Sequence, residues 1–229
     1  MITVTEHDGV AVLGADRPPA NAMDVTLLED LVAAVEALAA EPPDALVLAG
    51  RPGFFSAGAD LKLVPTYDAE RQRAMVHGIN RMALGVYGLP CPVVGAITGH
   101  AIAGGLVLAL CTDLRVASSE GRYGLTEIKV GVPYPQAAIG VVKAELAPPA
   151  ARLLAFGNAL HDAQTCLRLG VFDEVVAPDA VIPRAQELAR ELAAMPREVY
   201  ARTKSDMRGA LVEQLRAAAA ADPLLARWV

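Results

Sequence analysis

The stretch Gly95-Ala-Ile-Thr-Gly-His100-Ala-Ile-Ala-Gly-Gly105-Leu-Val-Leu-Ala-Leu110-Cys-Thr-Asp113 organises the reading of this chain. It predicts the end of a buried strand, a glycine turn, and a helix opening at Ala103-Gly104-Gly105. A helix start leaves backbone N–H groups unpaired and carries the positive end of the helix dipole. Glycines there let a ligand approach the main chain closely. That geometry suits a carbonyl oxygen that becomes negatively charged during a reaction. Taken alone, the same pattern equally describes a packed strand–turn–helix with no ligand.

No Asp, Glu, Lys or Arg occurs from Met82 to Thr112, a run long enough to span a bilayer. Pro90, Pro92, Gly95, Gly99, His100, Gly104 and Gly105 divide it into shorter pieces, so it reads as a core strand followed by a core helix. An apolar fraction of 54% over 229 residues, with 20% charged, fits a globular protein with a large core. The net charge of −6 gives a nucleic-acid partner no electrostatic footprint. Cys91, Cys111 and Cys166 all sit in apolar surroundings and are expected to be buried thiols in a reducing, cytoplasmic compartment. Met1–Asp8 carries neither a basic nor an apolar targeting region, so no signal peptide is expected.

Outward from the central stretch, the chain reads as alternating strands and helices. Ile2–His7 and Val10–Gly14 around Asp8-Gly9 form a predicted hairpin. Asp24 or Thr26 caps a helix whose Leu27, Leu28, Leu31, Val32, Val35 and Leu38 share one face. Ala45–Ala49 is a short buried strand, and Arg51–Lys62 a loop rich in small residues. A helix from Asp68 to about Leu84 precedes the strand Pro92–Ile97. After the central helix come a strand at Leu114–Ala117, a turn or short strand at Gly121–Gly124, and an irregular segment to Pro135. A helix spans Ala137–Leu146. The remainder is read as helical (Pro149–Phe156, Ala163–Leu169, Ile182–Ala194 and Arg197–Ala220), interrupted at Val171–Val176. This implies an α/β core over residues 1–160 and a mainly helical region over 161–229.

Four motifs now stand in order: Arg17-Pro-Pro-Ala-Asn-Ala22, Phe55-Ser-Ala-Gly58-Ala-Asp60-Leu-Lys62, Gly99-His-Ala-Ile-Ala-Gly104-Gly105, and Tyr123-Gly-Leu-Thr-Glu127-Ile-Lys-Val-Gly131. Each is weak alone; their order and spacing over roughly the first 200 residues resemble the crotonase family, the enoyl-CoA hydratases and isomerases. The resemblance implies a spiral of ββα units with a C-terminal helical trimerisation region, and a homotrimer or dimer of trimers. It implies an acyl-CoA thioester as ligand, with coenzyme A entering as part of the substrate and no permanently bound cofactor.

By motif matching, the amides of Ala59 and Gly104 would form an oxyanion hole for a thioester enolate. The stretch Ala57, Asp60, Leu61 and Lys62 would contact substrate: Ala57 through a carbonyl near the adenine, Lys62 through CoA phosphate. Lys62 also fits a solvated surface lysine, and Asp60 a cap on the following turn. The family's hydratases use two glutamates. Here Val107 holds the position of the first, one turn past Gly104, while Glu127 holds the second. An isolated glutamate would ordinarily be solvated or paired, with Lys129 or Arg122 as partners here.

One carboxylate beside an oxyanion hole implies a Δ3,Δ2-enoyl-CoA isomerase, with Glu127 moving one proton from C2 to C4. Hydration of 2-enoyl-CoA is the alternative and needs a second acid, for which Asp68–Glu70 is the candidate segment. A non-catalytic acyl-CoA-binding trimer is a third reading. His100 is expected to be a hydrogen-bonded core residue, and His7, His77 and His161 are too scattered to suggest a metal site. No Gly-x-Ser-x-Gly elbow occurs, which argues against a serine hydrolase.

Overall fold

A computed structural model describes every residue from Met1 to Val229. The chain opens with a hairpin, β1 (Ile2–His7) and β2 (Val10–Ala15), followed by α1 (Val25–Ala40). Three strand–strand–helix turns come next. The first is β3 (Ala45–Ala49), β4 (Gly53–Ser56) and α2 (Ala69–Tyr87); the second is β5 (Val93–Ile97), β6 (Gly99–Ile102) and α3 (Gly104–Leu110). The third is β7 (Leu114–Ser118), β8 (Tyr123–Gly124) and the single turn α4 (Glu127–Val130). Then come α5 (Gln136–Glu145), α6 (Pro148–Ala151), which runs on as a wider π-helical turn to Phe156, and α7 (Ala163–Arg168). Last are β9 (Glu174–Val176), α8 (Val181–Ala193) and α9 (Arg197–Ala220).

The first strand of each turn enters a six-stranded sheet ordered β1-β2-β3-β5-β7-β9, parallel except for the β1–β2 hairpin. The second strand of each turn enters a three-stranded parallel sheet ordered β4-β6-β8. The chain is therefore a spiral that deposits one strand in each sheet per turn. Its large sheet is covered on both faces, which is why β3 and β5 are apolar throughout rather than alternating. Leu46 and Leu48 join the main core with α1 and α2, whereas Val47 and Ala49 meet Val181, Ala185, Ala189 and Leu192 of α8 on the other face. Residues after 160 thus supply both the edge strand β9 and the cover of one face.

Two expectations need correcting. Gly53–Ser56 lies in a segment read as loop, and Gly99–Ile102 in one read as a turn, yet both are strands. Their pairing is parallel and between segments distant in sequence, with registers Gly53↔Gly99 and Ala101↔Tyr123. No local alternation marks a four-residue strand of that kind. The glycines mark the close approach instead: a methyl group on Gly99 would fall 2.1 Å from the Gly53 carbonyl.

The α1 cap resolves to Asp24, which accepts from the Leu27 amide at 2.8 Å. The three cysteines are buried and unpaired. No helix is long and apolar enough to cross a membrane. Helix α9 is fastened by a polar anchor: Asp113, between α3 and β7, accepts from Lys204 (2.8 Å), Arg208 (2.6 Å) and the Val93 amide (2.8 Å).

Gly105 is where α3 meets β4, since a methyl group there would lie 2.2 Å from the Ser56 carbonyl oxygen. Backbone cannot give way as a flexible side chain would. Gly105→Ala is therefore expected to destabilise the fold by about 1–3 kcal/mol through overpacking, measured by urea unfolding.

Candidate active site

The small sheet carries two loops to one place. After β4, Ser56 Oγ donates to the Asn21 carbonyl (2.7 Å) and accepts from the Gly58 amide (3.1 Å). Gly58 adopts φ +77, a conformation glycine takes without strain. The chain then exchanges hydrogen bonds with Met23: the Met23 amide donates to Gly58, and the Asp60 amide to Met23. After β6, Ala103 adopts φ +53 and ψ −126, which is costly for a residue with a side chain. It is held there because its amide donates to Gly124 and its carbonyl accepts from Leu106 and Val107.

The result is close contact between the two loops. A methyl group on Gly58 would stand 2.9 Å from Gly104 N, and one on Gly104 would stand 4.0 Å from Ala59 N. Neither the Ala59 nor the Gly104 amide donates to any acceptor in the protein. Both residues line a cavity of about 140 Å³ whose walls are mainly apolar.

Glu127 lines the same cavity. It opens α4, a single turn that Gly131 ends at φ +71 in the left-handed conformation. Pro133 and Pro135 then bring Tyr134 back over the turn, and its hydroxyl donates to Glu127 Oε2 at 2.7 Å. Glu127 is 6% exposed and makes no ion pair, so the pairing with Lys129 or Arg122 does not occur. Burial pushes its pKa up to about 7, against the lowering effects of the Tyr134 hydrogen bond and of its own backbone amide. Tyr134 escaped the sequence reading; an aromatic between two prolines, seven residues after a candidate acid, was the available signal.

The other predicted site residues divide. Ala57 and Leu61 line the cavity; Lys62 does not, and its exposed side chain has no hydrogen bond or ion pair. Asp60 is engaged in structure, accepting from the Lys62 amide (3.1 Å) and pairing with Arg17 (3.1 Å). Val107 lines the cavity at 1% exposure. The proposed rescue of a second acid fails: Asp68 caps α2 through the Arg71 amide, Glu70 is exposed, and Glu127 is the one Asp or Glu in the wall. His100 Nδ1 accepts from the Arg122 amide at 3.1 Å and its ring packs against Phe54, outside the cavity wall.

The sequence and the fold match known proteins. The profile of the enoyl-CoA hydratase/isomerase family matches residues 5–226. The chain belongs to that family. It is 33% identical over 202 residues to the probable enoyl-CoA hydratase EchA17 of Mycobacterium tuberculosis, covering 88% of this chain and 77% of that one. The crystal structure of the probable enoyl-CoA hydratase EchA3 of M. tuberculosis superposes with TM-score 0.89 at 32% identity, over 96% of this chain and 93% of that one. Human mitochondrial Δ3-Δ2-enoyl-CoA isomerase superposes with TM-score 0.88 at 26% identity, over 96% and 88%. The fold is thus the crotonase spiral, and both hydratases and isomerases are among its relatives.

A raised carboxyl pKa has a thermodynamic sign. Between the unfolded pKa near 4.5 and the folded value of about 7, the native state binds the extra proton, so stability declines as pH rises through that window. Glu127→Gln is expected to match the parent near pH 4.5 and to exceed it by roughly 2–3 kcal/mol at pH 8, read from urea unfolding at both pH values. Tyr134→Phe removes a bond that favours the ionised form, so the Glu127 carboxyl should titrate above its parent value by infrared spectroscopy.

Proposed function

We propose that this chain isomerises 3-enoyl-CoA to trans-2-enoyl-CoA, with Glu127 as the sole proton carrier. One observation carries the reading: a single buried carboxylate, its pKa raised to about 7, shares a cavity with two unengaged amides, and Val107 stands where a second acid would be needed. The thioester oxygen would accept from the Ala59 and Gly104 N–H groups. Glu127, ionised, would take a proton from C2, between the carbonyl and the double bond. Electrons then shift toward the thioester oxygen and the two amides hold the dienolate. Each such donor typically accounts for ~2.7–4 kcal/mol of transition-state stabilisation. The protonated Glu127 returns the same proton at C4, and the double bond ends conjugated with the carbonyl.

A pKa close to neutrality suits both halves of this relay, since a stronger base would be slow to give the proton back. Apolar walls keep water from quenching the dienolate. On this reading coenzyme A belongs to the substrate and stays outside the cavity, and the unpaired Lys62 ammonium suits its phosphates.

The hydratase names of EchA17 and EchA3 favour a second reading, hydration of 2-enoyl-CoA. That reaction asks for a group to hold and activate water, and valine at 107 can do neither.

The test offers 3-hexenoyl-CoA and 2-hexenoyl-CoA to the parent and to Glu127→Gln. The parent is expected to convert the 3-enoyl substrate and to hydrate the 2-enoyl one negligibly. Glu127→Gln should lose roughly 10²–10⁴-fold in kcat while retaining thioester affinity. Hydration that persists in the variant contradicts the assignment, and binding without turnover in the parent selects a non-catalytic acyl-CoA protein.

A further inference from the structure

The C-terminal segment, which the family motifs do not reach, forms part of the cavity wall. After α9 the chain turns back and is clamped at both ends. Asp222, 3% exposed, accepts from Asn80 Nδ2 (3.0 Å) and the Gln136 amide (2.8 Å) through one carboxylate oxygen. At the far end, the Val229 amide donates to Gln72 Oε1 (3.3 Å) and Trp228 Nε1 to the Pro133 carbonyl (2.9 Å). Trp228, 5% exposed, lines the cavity together with Ile79, Met82 and Ala138, whereas Leu61, 44% exposed, marks the side open to solvent.

The same residue also lines a second cleft, of about 130 Å³, between the tail and α2, with Ala69, Gln72, Arg73 and Leu224. Trp228 is the residue the two spaces have in common. It borders both.

The size of the first space suits a short chain. An apolar cavity of roughly 150 Å³ holds a benzene molecule, and about 140 Å³ is comparable, on the order of six heavy atoms. Those atoms must include the thioester carbonyl and the carbons that react.

We propose that Trp228 sets the acyl-chain limit, confining substrates to about four to six carbons by walling the cavity off from the cleft beside α2. This rests on the acyl-CoA reading of the cavity and names the substrate class. Opening the partition would join the two spaces and lengthen the channel along α2. Longer chains then gain apolar contacts that the parent denies them, and each added methylene is worth a substantial factor in a hydrophobic pocket.

The experiment measures dissociation constants of the saturated butanoyl-, hexanoyl-, octanoyl- and decanoyl-CoA thioesters by calorimetry. Turnover of 3-hexenoyl-CoA and 3-decenoyl-CoA is followed in parallel. The proteins are the parent chain, Trp228→Ala, Trp228→Leu and Trp228→Phe, each checked for a cooperative melt. The parent should bind hexanoyl-CoA at least about tenfold more tightly than decanoyl-CoA. Trp228→Ala and Trp228→Leu should erase or invert that ratio. Trp228→Phe, which keeps a large ring but loses the bond to Pro133, should keep it. A structural role alone would lower stability without moving the ratio.

Parent binding of decanoyl-CoA as tight as that of hexanoyl-CoA overturns the proposal. So does an unchanged ratio in whichever enlarging variants fold, and so does a parent that binds none of the four thioesters. Failure of the isomerase reading has a different signature: the break in affinity with chain length persists, but no double bond migrates in any substrate.

Discussion

The site depends on the contact between two stretches of main chain, the Ser56–Ala59 loop and the Ala103–Gly105 helix start. Each comes from a different turn of the spiral, and each follows a strand of the small sheet. Pairing β4 with β6 brings them side by side, and glycine at 58, 99 and 105 removes the side chains that would hold them apart. Backbone strain at Ala103 is tolerated because the chain is tied on both sides of it. Two amides are left without partners at the point of contact. Both residues are half-buried at the wall of the apolar cavity, so on the proposed reading an acceptor arriving with a ligand meets two free donors there.

The acid is placed by a different device. A one-turn helix stopped by Gly131 and a proline-flanked return put Tyr134 over Glu127, so the carboxylate is buried with one hydroxyl for company. A cation in that position would hold the proton off. A hydroxyl leaves the balance near neutrality, where a group can both take and return a proton. Val107 completes the logic by leaving that acid alone in the wall.

Much of this was legible in the residues. The large sheet announced itself through continuous apolar runs such as Ala45–Ala49, and α1 through its stripe of leucines and valines. Gly104, Ala59 and Glu127 were singled out as candidates by glycine and small-residue motifs whose order resembles a family, and they line one cavity. The small sheet was not legible, because strands of two to four residues paired across distant segments leave no local periodicity. The polar anchor at Asp113 was equally hidden: Lys204 and Arg208 look like solvated helix residues until packing buries them against a carboxylate one strand away. Trp228 sits in a segment with no motif at all, and only the return of the tail past α2 gives it a place in the site.

On the proposed mechanism a thioester oxygen rests between the Ala59 and Gly104 amides within reach of Glu127. Infrared difference spectroscopy of hexanoyl-CoA carrying a ¹³C label at its thioester carbonyl reads that contact on the bond itself. The carbonyl stretch of the bound molecule should move to lower frequency than in water, as expected when two aligned N–H donors polarise it. A bound thioester whose stretch stays at or above its solution value would contradict the account.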